Sequence, residues 1–258
     1  MWNQPAGAEV FRMALACGSH YQAAVPGQFV TLRLPEEAAP LLRRPFSIHR
    51  LLCDKSRLTG IEILYKTVGD FTRKLSRTSE NDRIDVLGPL GRGFTVSPEI
   101  RSAALVAGGI GVAPMRFLAE SLIRNGLHVQ ESLVCIGGRT QADIVCKNAF
   151  GALALPVRTM TEDGSAGEKG LATDGLRAWL AETRPDRIYA CGPTAMLRAV
   201  SGIAAGHGLP CEVSIETIMA CGVGACLGCA IKDRGHAGGY GHVCIDGPVF
   251  NAERLDLE

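Results

Sequence analysis

Between Val10 and about Val96 the apolar residues come in short runs, FRMALAC, QFVTLRL, FSIHRLL, GIEILYK and DRIDVLGPL, with turn-rich text between them. Runs of this length, rich in branched and aromatic residues, read as strands, and their spacing predicts an antiparallel β-barrel or sandwich of roughly six strands. One interval departs from the pattern. From Lys66 to Ser76 a Gly-Asp-Phe-Thr turn leads into a short helical pattern that ends near Leu75. A helix set among barrel strands points to a bound ligand.

After Pro98 the grammar changes to alternating strands and helices. Ala103 to Ala107 reads as a buried strand, Gly108-Gly109-Ile110-Gly111 as a tight turn, and Pro114 as a first-turn residue of a helix running through Arg124. VQESLVCIGG and ALPVRTMTED supply further strands, TDGLRAWLAET a helix with Thr173 as its N-cap, and RIYACGPTAML another strand-to-helix turn. This order predicts a doubly wound α/β parallel sheet of about five strands. The expected division is 1–98 for the β-barrel, 99–210 for the α/β domain and 211–258 for a small third unit.

Composition narrows the partners. With 27 Lys+Arg against 26 Asp+Glu the net charge is +1, which gives no bias toward nucleic acid or an acidic membrane. Hydrophobic residues at 47% against 21% charged ones support packed cores. The longest apolar stretch, Ala103 to Met115, is shorter than the ~20 residues of a membrane span. The N-terminal text MWNQP lacks the basic and apolar regions of a secretory signal, so a cytoplasmic location is expected.

In that reducing compartment ten cysteines call for a reason other than disulfides. Cys17, Cys53, Cys135, Cys146, Cys191 and Cys211 are scattered, mostly among apolar neighbours, where a thiol acts as a small hydrophobe. Cys221, Cys226, Cys229 and Cys244 cluster instead as C-x4-C-x2-C-x14-C in the text ACGVGACLGCAIKDRGHAGGYGHVCIDG. Four thiolates suit zinc or an iron–sulfur cluster. Structural zinc usually takes two knuckles of two cysteines each, whereas three crowd one loop here and the fourth arrives alone, the plant-type 2Fe-2S arrangement. Gly222, Gly224 and Gly228 leave room for backbone N–H groups to face sulfur.

Other motifs are less specific by themselves. The glycine turn at Gly108 follows a strand and opens a helix, where amides and the helix dipole hold a pyrophosphate. Close packing is the competing use of those glycines. Cys191-Gly192-Pro193-Thr194 forms a second such turn. Arg43-Arg44-Pro45-Phe46-Ser47 joins guanidinium groups to a hydroxyl at a strand start, and Tyr65-Lys66 precedes the Gly69 to Thr72 turn. Taken singly, these are ordinary surface and turn residues; Arg is nevertheless suited to bidentate phosphate contact.

In order, RRPFS, LYKTVGDFT, VLGPLGRGF, VAGGIGVAP, YACGPTAML and the four-cysteine loop resemble the ferredoxin–NADP reductase superfamily over essentially the whole chain. Within it, IETIMACGVGACLGCAIK and VCIDGPVF look like the family of electron-transfer subunits of NAD-dependent dihydroorotate dehydrogenases. The resemblance implies an FAD-binding barrel in which Arg44, Pro45, Phe46 and Ser47 contact the flavin and its phosphates, and Leu64, Tyr65 and Lys66 line the flavin or its ribityl chain. Gly69 and Thr72 would bind the pyrophosphate, although Phe71 stands where the family usually has a second glycine. Gly108, Gly109, Gly111 and Pro114 would hold NAD, with Cys191, Gly192 and Pro193 near the nicotinamide. Arg139 suits a 2′-phosphate better than the acidic residue that marks NAD sites. Cys221, Cys226, Cys229 and Cys244 match as the 2Fe-2S ligands.

Nicotinamide exchanges two electrons as hydride, a 2Fe-2S cluster exchanges one, and a flavin does both, so the implied order is cluster, FAD, NAD. No residue of the chain reads as catalytic. The implied partner is an FMN-containing catalytic subunit that oxidises dihydroorotate, two of each forming a heterotetramer, with no role for nucleic acid or membrane. A rival reading keeps the flavin and cluster but serves a hydrogenase or an electron-bifurcating ferredoxin complex. Arg139 favours it, and the complete cysteine set does not. A third, a zinc-stabilised binding module, fits the C-x14-C gap poorly.

Overall fold

The computed structural model describes residues 2–35 and 41–257. Its first part is a six-stranded antiparallel sheet of β1 (Trp2–Gly7), β2 (Val10–Ala16), β3 (Phe29–Arg33), β4 (Arg44–Asp54), β5 (Arg57–Lys66) and β6 (Asp85–Leu90), ordered β1-β2-β5-β4-β3-β6. Alternate side chains point one way and make one core: Met13 and Leu15 from β2, Val30 and Leu32 from β3, Ile48 from β4, and Ile61, Ile63 and Tyr65 from β5. Helix α1 (Asp70–Leu75) adds Phe71 and Leu75 to it. Strand β1 has no counterpart in the sequence-based expectation. WNQPAG lacks an apolar run, and it holds an edge position where the missing N–H of Pro5 is tolerated.

From Gly60 to Tyr65, β5 is buried without interruption, because its second face, with Glu62 and Leu64, packs against the next unit. That unit contains β7 (Ala103–Gly108), α2 (Met115–Arg124), β8 (Leu133–Gly138), α3 (Lys147–Gly151), β9 (Val157–Thr161), β10 (Glu168–Lys169), α4 (Ala172–Leu180), β11 (Arg187–Cys191) and α5 (Thr194–Gly206). The C-terminal stretch adds β12 (Cys211–Ser214), a small ladder of β13 (Ala230–Lys232) with β14 (Tyr240–His242), and β15 (Val249–Asn251).

The second sheet has seven strands ordered β10-β9-β8-β7-β11-β12-β15, all parallel except β15. In β7, Ala104 and Val106 enter one hydrophobic cluster while Leu105 and Ala107 enter another, so the strand is covered on both faces. That is why AALVA reads as an unbroken apolar run. The strands named from the sequence are β7, β8, β9 and β11; β10 and β12 bring the parallel strands to six rather than about five, and β12 begins at Cys211, so residues beyond 210 contribute two strands, β12 and β15, to this sheet. Among the described residues no helix is long and apolar enough to cross a membrane.

Helix α4 starts differently from the sequence-based expectation. Thr173 is its second residue and buried, and the exposed N–H of Leu171 is taken by Asp174 Oδ2 at 2.9 Å. The longer-reaching carboxylate at the third helical position caps the turn instead.

Chain order runs outward in both directions from β7, and such a switch point opens a crevice at the carboxyl ends of β7 and β11. The two turns there are in direct backbone contact. A Cβ at Gly111 would fall on the carbonyl of Cys191 and 2.7 Å from the amide nitrogen of Gly192. Gly111→Ala is therefore expected to lower the unfolding free energy by ~1–3 kcal/mol, read from urea melts, because backbone must move to admit the methyl.

The two units are joined by polar groups as well as by packing. Lys66 pairs with Asp143 at 3.3 Å, Arg50 with Glu120 at 3.3 Å, and the carboxylate of Glu212 takes the Thr95 amide at 2.8 Å. Deepest is His49, fully buried, whose Nδ1 lies 2.6 Å from the carbonyl oxygen of Ala113. Burial pushes the His49 pKa down to about 4, against the opposing pull of Glu62 and the Ala113 carbonyl, while Arg116 and Arg12 lower it further. A histidine that stays neutral when folded destabilises the fold wherever the unfolded chain is protonated. Stability should thus fall as pH drops from the unfolded value of 6.5 toward 4, by about 1.4 kcal/mol per pH unit from this residue. Thermal melts between pH 7 and 5 should show a slope that flattens in a His49→Asn variant.

Candidate functional site

Two clefts of about 580 Å³ each open along this carboxyl edge, within the range of small-molecule sites. The first is walled by Arg44, Pro45, Phe46 and Ser47 from β4, Leu64, Tyr65 and Lys66 from β5, and Gly69, Phe71 and Thr72 from the turn into α1. All nine residues expected on the flavin side therefore line one cavity. Tyr65 is fixed by a 3.0 Å hydrogen bond from its hydroxyl to Asn3 Oδ1 and by an edge contact with Phe46. Phe71 is buried, its ring packed toward Phe46 at 6.0 Å between centroids. Gly69 presents bare backbone, since a Cβ there would meet nothing within 4 Å. The Thr72 hydroxyl is already committed: it accepts from the amides of Val68 and Gly69 at 2.9 and 3.1 Å and donates to the Gly69 carbonyl at 3.0 Å. Its task is to shape the turn.

The second cleft is walled by Gly108, Gly109, Ile110 and Gly111 after β7, Gly137, Gly138 and Arg139 after β8, Glu162 after β9, and Gly192, Pro193 and Met196 after β11. Gly109 has φ +53° and open space where a Cβ would be, so it lines the cleft with bare backbone. Two expected residues lie behind this wall. Pro114 caps α2, and Cys191 is fully buried in the core, its thiol pKa pushed well up by burial. Arg139 is exposed with its Nε 3.8 Å from Asp143 Oδ2, and its amide donates to the same carboxylate at 3.1 Å.

Lys66, Ile110 and Glu216 line both clefts, so the two meet at these side chains. Glu216 follows β12 and is open to the clefts, yet the surrounding protein mass raises its carboxyl pKa by desolvation. Neither it nor Ser214, Thr217 and Met219, which complete the first cleft, was singled out from sequence. The sole cue was position, directly before the cysteine loop.

That loop runs on from Met219. Gly222 and Gly224 have φ of +72° and +79° and are hemmed in by Thr31 and Ile245, so each is required by both conformation and space. The turns aim amides at sulfur: Gly224 donates to Cys244 Sγ at 3.1 Å, and Val223 and Cys226 donate to Cys221 Sγ at 3.5 and 3.4 Å. These bonds pull the Cys221 pKa down to about 6. Cys229 and Cys244 are buried 3.3 Å apart, and burial, then the contact with Cys229, pushes the Cys244 thiol up to about 11. Among the described residues no group of three or more His, Cys, Asp or Glu side chains is set to hold a metal ion. The buried Cys229–Cys244 sulfur pair, with backbone amides aimed at Cys244 and at Cys221, has the donor chemistry of an iron–sulfur site, whose sulfurs accept N–H groups.

Residues 216–256 match the family model described as the iron–sulfur cluster binding domain of dihydroorotate dehydrogenase B, and residues 105–202 match the oxidoreductase NAD-binding domain. The dihydroorotate dehydrogenase B (NAD(+)) electron transfer subunit of Desulforamulus reducens is 40% identical over 88% of this chain and 85% of its own length. The subunit of the same name from Listeria monocytogenes serovar 1/2a is 41% identical over 90% of this chain and 87% of its own. Among solved structures, an NADH-dependent reduced ferredoxin-NADP oxidoreductase from work on flavin-based electron bifurcation superposes with a TM-score of 0.86 at 30% identity, over 99% of this chain and 88% of that one. A ferredoxin NADP+ reductase from Neisseria gonorrhoeae, at 15% identity and a TM-score of 0.63 over 81% of this chain and 89% of its own, shares the fold.

Proposed function

Because the chain belongs to the family of dihydroorotate dehydrogenase B electron transfer subunits, we propose that it carries electrons from a dihydroorotate-oxidising partner, through 2Fe-2S and FAD, to NAD in pyrimidine biosynthesis. The observation that carries this reading is the shared wall: the two clefts meet at Lys66, Ile110 and Glu216, and the cysteine loop enters the first of them at Met219. Bound in the first cleft, a flavin supplies the exchange between one-electron and hydride chemistry that neither neighbour can perform. The six-stranded sheet is then its barrel. Arg44 and Ser47 hold phosphate and flavin, Leu64, Tyr65 and Lys66 line the ring and ribityl side, and bare backbone at Gly69, shaped by Thr72, takes the pyrophosphate.

In the second cleft, the Gly108 to Gly111 turn, with Pro114 fixing the helix start, takes the NAD pyrophosphate, and Gly192 and Pro193 approach the nicotinamide, backed by Cys191. Glu162 faces that cleft beside an Arg139 drawn toward Asp143, which favours a ribose diol over a 2′-phosphate. Cys221, Cys226, Cys229 and Cys244 hold the cluster. In this reading residues 1–98 serve the flavin, 99–210 the nicotinamide with β12 and β15 borrowed from the next unit, and 211–258 the cluster. The partner is an FMN-containing catalytic subunit in the cytoplasm, paired as a heterotetramer.

The test is anaerobic assay of the two subunits from the native host, apart and together. Dihydroorotate-dependent NAD reduction by the complex alone is expected. A complex that forms but makes no orotate moves the chain to the rival reading, a subunit of a hydrogenase or bifurcating complex.

A further inference from the structure

His49 interrupts the ladder it belongs to. Ile48 pairs with Ile63 and Arg50 with Glu62, so His49 is the extra residue of a β-bulge in β4. Bulges re-aim side chains. This one sends an imidazole, fully buried, across the boundary between the two sheets to the carbonyl of Ala113 at 2.6 Å. A carbonyl only accepts, so Nδ1 carries the proton and Nε2 is the bare nitrogen, 3.8 Å from Glu62 Oε1 and without a hydrogen-bond partner. Glu62 is held from the other side by Arg12 at 2.5 Å.

The accepting carbonyl ends the tight turn after β7. Ala113 donates its own amide to Ile110 at 2.9 Å, Ala113 lines the first cleft, and Ile110 lines both. Two residues before His49, Ser47 lines the first cleft from the other unit. One hydrogen bond therefore ties a flavin-side wall to the turn that separates the clefts. Packing and the Lys66–Asp143 and Arg50–Glu120 pairs hold the units together as well, and the His49 bond acts directly on the turn between the clefts.

We infer that His49 is a positioning residue: through its Nδ1–H it holds the Ile110–Ala113 turn so that flavin and nicotinamide meet at hydride-transfer distance. This rests on the flavin–nicotinamide reading above. Displacements of about 1 Å away from the chemistry can cost up to ~100-fold in rate.

The full chain is tested as His49→Leu, His49→Asn and His49→Gln. Asparagine can place an amide donor where Nδ1 stood, glutamine places one at the Nε2 end, and leucine has none. Three quantities are read: bound flavin from its visible absorbance, the long-wavelength charge-transfer band on anaerobic NADH titration, and the stopped-flow rate of flavin reduction by NADH. The expected result is flavin retained in all three, the band lost and reduction slowed roughly ten- to a hundredfold in Leu and Gln, and both restored to within about threefold in Asn. Should Leu fail to fold, the Asn and Gln pair decides. Equal rates and bands in Gln and wild type overturn the inference, as does Asn behaving like Gln. A wild-type chain that binds flavin but is not reduced by NADH sinks the underlying reading instead, and the inference with it.

Discussion

Cys226→Ser is expected to remove the 2Fe-2S cluster and to cut dihydroorotate-dependent NAD reduction by the assembled complex at least ~100-fold, since losing a ligand outweighs the 10–100-fold typical of disturbing a ligand's supporting bonds. The exposed position of Cys226 makes it the cysteine whose replacement disturbs packing least, whereas Cys229 and Cys244 are buried in the core of the C-terminal stretch. NADH oxidation with an artificial two-electron acceptor should persist, because Cys226 lies outside both clefts and the Lys66–Ile110–Glu216 junction is untouched. Absorbance and electron paramagnetic resonance report the cluster, and a diaphorase assay reports the rest. Loss of diaphorase activity with flavin still bound would contradict direct contact between flavin and nicotinamide.

Arg44→Ala is expected to weaken FAD ten- to a hundredfold, from the ~1.5–3 kcal/mol of a charge-assisted hydrogen bond to phosphate. In the structure its Nη1 donates to the carbonyls of Leu42 and Arg43 at 2.8 and 3.2 Å, which holds the guanidinium at the cleft mouth. Its neighbour cannot substitute, because Arg43 is tied to Asp85, as Arg33 is. Arg44→Lys should recover only part of the affinity, lysine being a point charge without the planar fork. Fluorescence of flavin released on dilution measures both variants. Retention of FAD by Arg44→Ala at wild-type affinity would place the diphosphate elsewhere.

The wall of the first cleft was legible because its residues are local: RRPFS, LYK and GDFT each occupy one strand or turn, and adjacent antiparallel strands bring them together. The cysteine loop stood out because four thiols at that spacing have few uses other than binding metal, and residues 216–256 match an iron–sulfur cluster binding domain. Glu216 and Met219 were not, since a carboxylate or a thioether at a strand end has no distinctive neighbours in the text. Only the crossing of β12 beside β11 brings them opposite Tyr65 and Lys66. Strand β1 was hidden by Pro5 and Gly7, which deny it a strand-like composition although its register with β2 runs from Trp2 to Gly7. Cys191 stands behind the second cleft for a related reason: in a buried parallel strand the last side chain alternates into the core, and Gly192 and Pro193 after it line the cleft.

Strands β12 and β15 pair antiparallel, with Ser214 opposite Val249, so in topology they are the two arms of one hairpin. Everything from Ile215 to Pro248, the cysteine loop included, is the connection between those arms. An insert closed at its base by a strand pair adds little loop entropy to the scaffold and leaves its threading unchanged. The flavin–nicotinamide pair is in this sense a socket, and the hairpin connection is the plug through which a lineage, or a protein engineer, can wire it to a different one-electron donor.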